Sequence, residues 1–166
     1  MNRSTWLAIL GAALLAGICA LVFRKSDDAR IRAQLRALAG AVHAEAGENE
    51  ILRARRIQST FARVFPADAQ VDVPGIHEGM APRGELVALA VGAGRRYGAV
   101  ELRFDAVNVE LEKPERKAWV TATATASGTP REGSGRAESR AVVMRFVESE
   151  GEWRITSAAV AGSGQR

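Results

Sequence analysis

The feature that most restricts how this chain can fold is an uncharged apolar segment close to its N-terminus. Residues 6–23 read WLAILGAALLAGICALVF, and they lie between Arg3 and the pair Arg24-Lys25. A helix over this segment rises about 1.5 Å per residue and is roughly 27 Å long, close to the ~30 Å hydrocarbon core of a bilayer. We therefore predict a membrane anchor over residues 1–25 that binds the lipid bilayer through the apolar run.

A cleaved signal peptide and a buried helix of the domain are the two other interpretations of this segment. Signal peptides have an apolar stretch of about 7–15 residues, followed by a polar stretch that ends in small residues. Here the run is longer, and Phe23 is followed directly by Arg24. A lipoprotein site would require a small residue before its cysteine, whereas Ile18 precedes Cys19. These features favour an uncleaved anchor, followed by one domain over residues 26–160 and a flexible tail over residues 161–166.

Positive charge is concentrated on the flank of the anchor that leads into the domain. The membrane-proximal basic residues are Arg24, Lys25, Arg30, Arg32 and Arg36. Anionic headgroups would attract them, and an ordinary solvated helix face is the alternative. A positive flank favours a cytoplasmic domain, but an anchor so near the N-terminus normally exports the domain on its C-terminal side. We expect a single-pass protein of a bacterial-type inner membrane, with its domain outside the cytoplasm and a cytoplasmic domain as the alternative.

Composition excludes several classes of function. The net charge is +4, yet basic residues are not interleaved with aromatic ones, so we expect no nucleic-acid partner. The single cysteine lies in the apolar run, which rules out a disulfide within the domain. The two histidines, His43 and His77, are too far apart for a metal-ligand pattern. We therefore predict no metal and no cofactor.

Apolar residues at helical spacing predict three helices in the first part of the domain. The first covers residues 28–46, with a stripe at Ile31, Leu35, Leu38 and Val42. The second covers residues 49–65, with Asn49 as N-cap and a stripe at Ile51, Ala54, Ile57, Phe61 and Phe65. Its arginines are expected largely on the surface: Arg53, Arg55, Arg56 and Arg63. The third runs from Arg83 to about Tyr97, after a short strand at Ala69–Val73 and a loop from Pro74 to Pro82.

The second part of the domain alternates with a period of two residues. Strands are predicted over residues 100–112, 118–126, 137–148 and 153–160. In the second of these, Val120, Ala122 and Ala124 should face the core, and Thr121, Thr123 and Thr125 should face solvent or an oligomer contact. Helices followed by an antiparallel meander indicate an α+β fold in which helices pack in a curved antiparallel sheet.

Three local strings, in this order, resemble the NTF2-like superfamily, which includes nuclear transport factor 2, ketosteroid isomerase and the SnoaL-type cyclases. They are Phe65–Gly75 (FPADAQVDVPG), Arg83–Leu86 (RGEL) and Glu150–Ile155 (EGEWRI). The resemblance covers roughly residues 30–160. It implies a cone-shaped sheet wrapped around helices, with an apolar pocket at the open end of the cone. Members include enzymes, ligand carriers and assembly modules, so the fold leaves the function open.

The resemblance also allows a test for isomerase chemistry. Ketosteroid isomerases carry a carboxylate base before the proline of the first string, where this chain has Val73. Their second carboxylic acid corresponds to Val142, and the only tyrosine here, Tyr97, is not on the first helix. Proton transfer needs a base and a donor for the developing oxyanion. An acid–base isomerase is therefore not expected.

Other polar and aromatic residues are weaker candidates for a site. His77 with its neighbour Glu78, Asp68 and Asp105 could each supply a catalytic base, although ordinary loop or surface roles explain them as well. Four residues could line a ligand pocket: Trp119, Trp153, Glu101 and Arg103. Core packing of the tryptophans and cross-strand pairing of the charged residues are the alternatives.

The function predicted from these features is non-catalytic. We expect a membrane-tethered NTF2-like domain that binds a ligand or assembles with a protein partner or a second copy, as in a cell-envelope complex. Components of type IV secretion machines share this layout. The alternative is a SnoaL-like enzyme acting on a small hydrophobic substrate.

Overall fold

The computed structural model describes residues 26–130 and 135–161, and this part of the chain has an α+β fold. Its helices are α1 (Asp27–Val42), α2 (Glu50–Val64) and α3 (Arg83–Arg96), and a 3-10 helix covers Lys113–Glu115. Its strands are β1 (Asp68–Val73), β2 (His77–Pro82), β3 (Tyr97–Glu112), β4 (Lys117–Pro130), β5 (Arg136–Ser149) and β6 (Glu152–Val160).

The anchor predicted for residues 1–25 lies outside the described residues, as do residues 162–166 of the predicted tail. Within the ranges 26–130 and 135–161, no helix combines the length and the hydropathy that crossing a membrane requires. The anchor thus stays a prediction from the sequence.

The described strands form one curved sheet in the order β2-β1-β6-β5-β4-β3. The pairs are antiparallel except β1 and β6, which run parallel with Gln70 opposite Ser157 and Asp72 opposite Ala159. The sheet is therefore mixed, and the prediction of a purely antiparallel sheet was wrong. Alternation of residue types identifies a strand, but it does not say which strand becomes its neighbour.

The segment before α3 also differs from its prediction. The sequence from Pro74 to Pro82 suggested a loop, but His77–Pro82 is strand β2, which pairs with the whole of β1. Gly75 has a φ of 78° in the tight turn between the two strands. This glycine, and the glycine and proline within β2, concealed the strand, since both residue types are rare inside sheets except at an edge. β2 is such an edge strand.

A β-bulge in β3 explains how two apolar residues that are three positions apart, Phe104 and Val107, lie on the same side of the sheet. The register shifts by one residue between Asp105 and Asn108, and Ala106 has a φ of 51°. Phe104 before the bulge and Val107 after it consequently both pack against the core. Strict alternation would have placed these two residues on opposite faces.

The three helices cover the inner face of the sheet, and the core lies between them. Its largest fully buried side chains are Phe146, Ile31, Leu35, Ile57, Ile155, Val64 and Val120. Helix α1 ends at Val42, four residues before the predicted end. The backbone N–H of Ala44 donates to the carbonyl oxygen of Val100 at 2.8 Å, and the reverse bond is 3.0 Å long. Because Ala44 pairs with β3, its backbone cannot continue the helix.

Helix α2 begins as predicted and buries Ile57, Phe61 and Phe65 of the predicted stripe, but its first turn faces differently. The Asn49 side chain accepts hydrogen bonds from the backbone N–H groups of Ile51 and Leu52, at 2.9 and 3.2 Å. Ile51 is 66% exposed, so its expected place in the stripe was wrong, and Arg53 is buried rather than on the surface. The Arg53 guanidinium donates to the carbonyl oxygen of Gly94 at 3.3 Å, near the end of α3. Carbonyls at a helix C-terminus lack helical partners and attract a cation.

Candidate functional site

The inner space of the cone, where a pocket was expected, is largely filled by side chains. Aliphatic and aromatic residues of α1, α2, β4, β5 and β6 have no more than a few per cent exposure there. Val142 lies beside this cluster, and Val73 is half-buried opposite His77 on β2. The two positions that correspond to the isomerase carboxylates therefore contribute only apolar surface to the site.

Among the described residues, His77 forms the contact that most resembles a catalytic base with an orienting carboxylate. Its Nδ1 lies 3.1 Å from Oε1 of Glu85, in the first turn of α3. Only 15% of the His77 side chain is exposed, and its buried Nε2 has no hydrogen-bond partner among the described residues. The carboxylate orients the imidazole, which leaves Nε2 able to accept or deliver a proton.

The partner of His77 was missed by sequence reasoning. The expected partner was the neighbouring Glu78, but Glu78 is exposed and adjacent strand residues point to opposite faces. Recognition of β2 as a strand that continues directly into α3 would have brought Glu85 into consideration, because Glu85 is the acidic residue of the first turn of that helix.

The other catalytic candidates are separated from this pair. Asp68 is exposed at the start of β1, and Asp105 is exposed on β3 beside Arg103, with 3.6 Å between the guanidinium and the carboxylate. Glu101 lines a cavity of about 320 Å³ together with His43 at the end of α1, and His77 is not among the residues that line it. These residues do not converge with His77. Arg103 was expected to line a pocket, but it lines none of the three cavities beside α1 in the described part of the chain.

The two candidate tryptophans have opposite roles. Trp153 is 3% exposed in the core, and its indole N–H donates to Asp27 Oδ1 at 3.2 Å. Trp119 is 38% exposed on the outer face of the sheet. Its indole N–H donates to Glu112 Oε1 at 3.0 Å, and the Arg145 guanidinium carbon lies 5.6 Å from the centre of its ring. Trp119 is therefore available to a partner, whereas Trp153 serves packing.

A polar cluster closes the end of the domain where α1 meets α2. Arg56 donates to Glu48 Oε1 at 2.5 Å and to the carbonyl oxygen of His43 at 2.6 Å. The hydrogen bond from Arg56 is the main reason that the pKa of Glu48 lies below its usual range. These residues line a cavity of about 410 Å³, but their side chains are engaged with one another. The cluster therefore holds the loop between α1 and α2 against helix α2.

The membrane-proximal basic residues are arranged along α1. Arg30 bonds the carbonyl oxygen of Gly151 and lies 3.7 Å from Glu148. Arg32 pairs with Asp28 at 2.9 Å, while Arg36 is exposed and has no ion pair within the described chain. Arg24 and Lys25 lie outside the described residues. Among residues 26–130 and 135–161, no group of three or more His, Cys, Asp and Glu side chains could hold a metal ion.

The fold is shared with solved structures of low sequence identity. The crystal structure of Kfla4162 from Kribbella flavida matches with a TM-score of 0.66 and 15% identity, over 85% of this chain and 93% of that chain. A hexachlorocyclohexane dehydrochlorinase, LinA type 2, matches with a TM-score of 0.63 and 14% identity, over 81% and 83%. A protein assigned as a scytalone dehydratase from Novosphingobium aromaticivorans matches with a TM-score of 0.61 and 13% identity, over 79% and 80%. At these identities the likeness concerns the fold alone.

Sequence comparison gives the family directly. No curated protein sequence matches the chain. The profile of the SnoaL-like domain, in contrast, matches residues 54–159, which is more than half of the sequence and runs from α2 to the end of β6. The resemblance to the NTF2-like superfamily is thereby confirmed, and this chain belongs to the SnoaL-like domain family.

Proposed function

We propose that this chain is a non-catalytic assembly module, tethered to a membrane by residues 6–23, that pairs with a second copy through the outer face of its sheet. The observation that carries the proposal is the exposed Trp119 on that face, opposite an inner space that buried side chains fill. Exposed aromatic residues with a polar surround are typical of protein interfaces. The apolar residues Val73 and Val142 add support, because these two positions lack the carboxylates that the chemistry of the related isomerases requires.

The outer face offers charges of both signs around Trp119. Glu110 on β3 lies opposite Trp119, and Arg145 on β5 lies opposite it on the other side. This row of three residues, Glu110–Trp119–Arg145, crosses the middle of three neighbouring strands. Nε of Arg145 is buried and has no partner within the described chain. The row therefore has an acidic end, an apolar centre and a basic end.

Such a row is self-complementary under two-fold symmetry. An axis that runs along β4 between two face-to-face sheets exchanges the strands on either side of it. Glu110 of each copy then lies over Arg145 of the other, and the two Trp119 rings meet at the centre. The threonines of β4 allow this approach because their side chains are small.

Charge reversal tests the pairing in the full-length protein. Glu110→Lys and Arg145→Glu should each weaken self-association, measured by chemical crosslinking in membranes and by sedimentation. The double variant should restore it, since the charges are exchanged rather than lost. Glu101→Lys, farther along β3 on an exposed position, is the matched control and should leave association unchanged. A wild-type protein that stays monomeric at all concentrations would contradict the pairing.

The tether is tested separately. Alkaline carbonate extraction should leave the protein in the membrane fraction, and its mature N-terminus should precede residue 6. Deletion of residues 6–23 should release the protein. A soluble mature chain that begins after about Cys19 would show that the segment is a cleaved signal, without bearing on the outer face of the sheet.

The contact between His77 and Glu85 favours a second candidate function, a SnoaL-like enzyme acting on a small hydrophobic substrate. Its supporting observation is the buried, unpartnered Nε2 of an oriented imidazole within the described chain. Two fold neighbours are named as a dehydrochlorinase and a dehydratase, which are enzymes. We expect no turnover of Δ5-3-ketosteroids. Turnover of any small hydrophobic substrate that His77→Gln abolishes and Glu85→Gln reduces would replace the assembly proposal by this one.

A further inference from the structure

A groove runs between the first helix and the third strand on the helical side of the domain. It encloses about 230 Å³ and is lined by Arg32, Leu35, Arg36, Ala39, Phe104 and Val107. We name it the α1–β3 groove. It lies apart from the pair His77–Glu85 and from the outer face of the sheet, so its role is independent of both candidate functions.

The helix contributes two parallel rows of side chains to this groove. Leu35 and Ala39 are four residues apart and form an apolar row, and Arg32 and Arg36 form a basic row beside it. Leu35 is 2% exposed and reaches into the core, so it forms the floor. The basic row forms the rim because Arg36 is exposed and 38% of the Arg32 side chain is exposed.

The strand contributes its apolar wall only because of the bulge at Ala106. Ala106 has a φ of 51°, a left-handed conformation that is unfavourable for a residue with a Cβ atom. The extra residue turns both Phe104 and Val107 toward α1, and both are partly buried there. The local strain thus widens the apolar surface that faces Leu35 and Ala39. Strain of this kind is concentrated at binding sites.

The charge of the rim selects the kind of occupant. Arg32 is partly neutralised by Asp28, at 2.9 Å, but Arg36 has no ion pair within the described part of the chain. A cation without an ion pair, beside a groove lined by Leu35, Ala39, Phe104 and Val107, matches a molecule with an apolar chain and an anionic head. We propose that the α1–β3 groove binds a single-chain anionic amphiphile such as a medium-chain fatty acid, with its chain between Ala39 and Phe104 and its carboxylate at Arg36.

Photocrosslinking of the full-length protein in membranes tests this proposal. The probe is a medium-chain fatty acid that carries a diazirine near the end of its chain, and the labelled peptides are mapped by mass spectrometry. Labels should fall on α1 around residues 32–39 and on β3 around residues 104–107. Unlabelled fatty acid should compete, whereas the alcohol and the quaternary ammonium of equal chain length should compete poorly.

Variants separate the apolar and the charged contributions. Ala39→Trp fills the groove and should reduce labelling to background, and Arg36→Gln should reduce it by up to about fivefold, as expected for one exposed charge. Arg55→Gln, an exposed arginine on α2, is the matched control and should have no effect. Thermal unfolding verifies that each variant is folded.

Three results would overturn the proposal. Labelling that persists in Ala39→Trp would place the probe elsewhere, and equal competition by the alcohol would remove the role of the basic rim. Dissociation of an existing oligomer by Ala39→Trp would show that a second copy occupies the groove. Failure of the Glu110 and Arg145 variants to alter association would concern only the outer face.

Discussion

The sheet has one side covered by helices and one bare side, and each side has one residue that does not suit its surroundings. On the covered side, Arg53 of helix α2 is a charged residue with 3% exposure. On the bare side, Trp119 is a large aromatic residue with 38% exposure. Burying a charge and exposing an aromatic ring both cost free energy, so each exception points to a specific contact.

The two exceptions differ in whether the contact lies within the described chain. Arg53 bonds the carbonyl oxygen of Gly94, and its guanidinium occupies the space beside that glycine. Trp119 has one polar partner, Glu112, and a cation over its ring, but its outer surface is uncovered. The contact of Arg53 therefore lies within the domain, although its Nε and Nη2 have no hydrogen-bond partner among the described residues, whereas Trp119 keeps an exposed surface to which our proposal assigns a second copy.

The largest effect should come from placing a charge on the covered side. Ala122→Arg would bury a guanidinium without a partner at a site with 6% exposure and should destabilise the domain by roughly 3–5 kcal/mol. Ala124 is only half-buried, so Ala124→Arg should cost less. Thermal unfolding measures both. Thr121→Arg, on the bare side of the same strand, should change stability by no more than about 0.5 kcal/mol, and an equal loss there would contradict the assignment of faces.

The two tryptophans give the second comparison. Trp153→Ala should cost about 3–5 kcal/mol because it opens a cavity in the core. Trp119→Ala should cost about 1 kcal/mol or less, mostly from the lost contact with Arg145. Chemical denaturation of the two variants measures the difference. Self-association should be weakened by Trp119→Ala and kept by a Trp153→Ala variant that is still folded. If only the folded Trp153→Ala variant lost association, the result would argue against an interface at Trp119.

A smaller effect tests the fit around Arg53. A Cβ atom on Gly94 would lie 2.5 Å from the guanidinium carbon of Arg53, so Gly94→Ala should destabilise the protein by about 1–3 kcal/mol. Gly92, in the same helix, has open space around it, and Gly92→Ala should instead stabilise α3 by up to about 1 kcal/mol. Removal of the Arg53 side chain in the Gly94→Ala background should recover part of the loss. Additive losses would mean that the two residues do not compete for space.

The smallest effect concerns the polar cluster at the end of α1. The hydrogen bond from Arg56 lowers the pKa of Glu48, so the ionised carboxylate is favoured in the folded state. Unfolding therefore takes up protons at pH values just below the ordinary pKa of 4.5. The contribution is present above about pH 4.5 and disappears as the pH falls through the lowered pKa. Glu48→Gln should therefore cost less than about 1 kcal/mol at neutral pH and nothing in strong acid. Denaturation at several pH values checks this, with the exposed Glu45→Gln as control.

Sequence patterns predicted the elements of this fold well where the position of a side chain follows from its neighbours along the chain. The apolar stripe at Ile31, Leu35 and Leu38 was placed correctly on α1, and the alternation of Val120 and Ala122 on β4 was confirmed. Asn49 was recognised as the N-cap of α2 because its side chain has a local role. Such features depend only on neighbours along the chain.

The candidate site was predicted less well because its contacts join residues that are distant in the chain. The pair His77–Glu85 depends on β2 continuing into α3, and β2 was concealed by its glycine and proline. The α1–β3 groove depends on a bulge that no alternation pattern reveals. Arg53 lies four residues before Ile57 and could have been assigned to the buried face, but its charge argued for the surface.

By itself the sequence determined the order of the helices and of the strands other than β2, the inward set of residues on most of them, the family resemblance and the absence of isomerase carboxylates at Val73 and Val142. Those properties follow from periodicity, from turn residues and from residue identity at single positions. Only the tertiary structure decided that β1 runs parallel to β6, that Arg53 is buried against Gly94, and that Trp119 is exposed while Trp153 is not. These outcomes depend on which surfaces meet after the chain has folded, because burial and pairing belong to two partners and a local pattern describes only one of them.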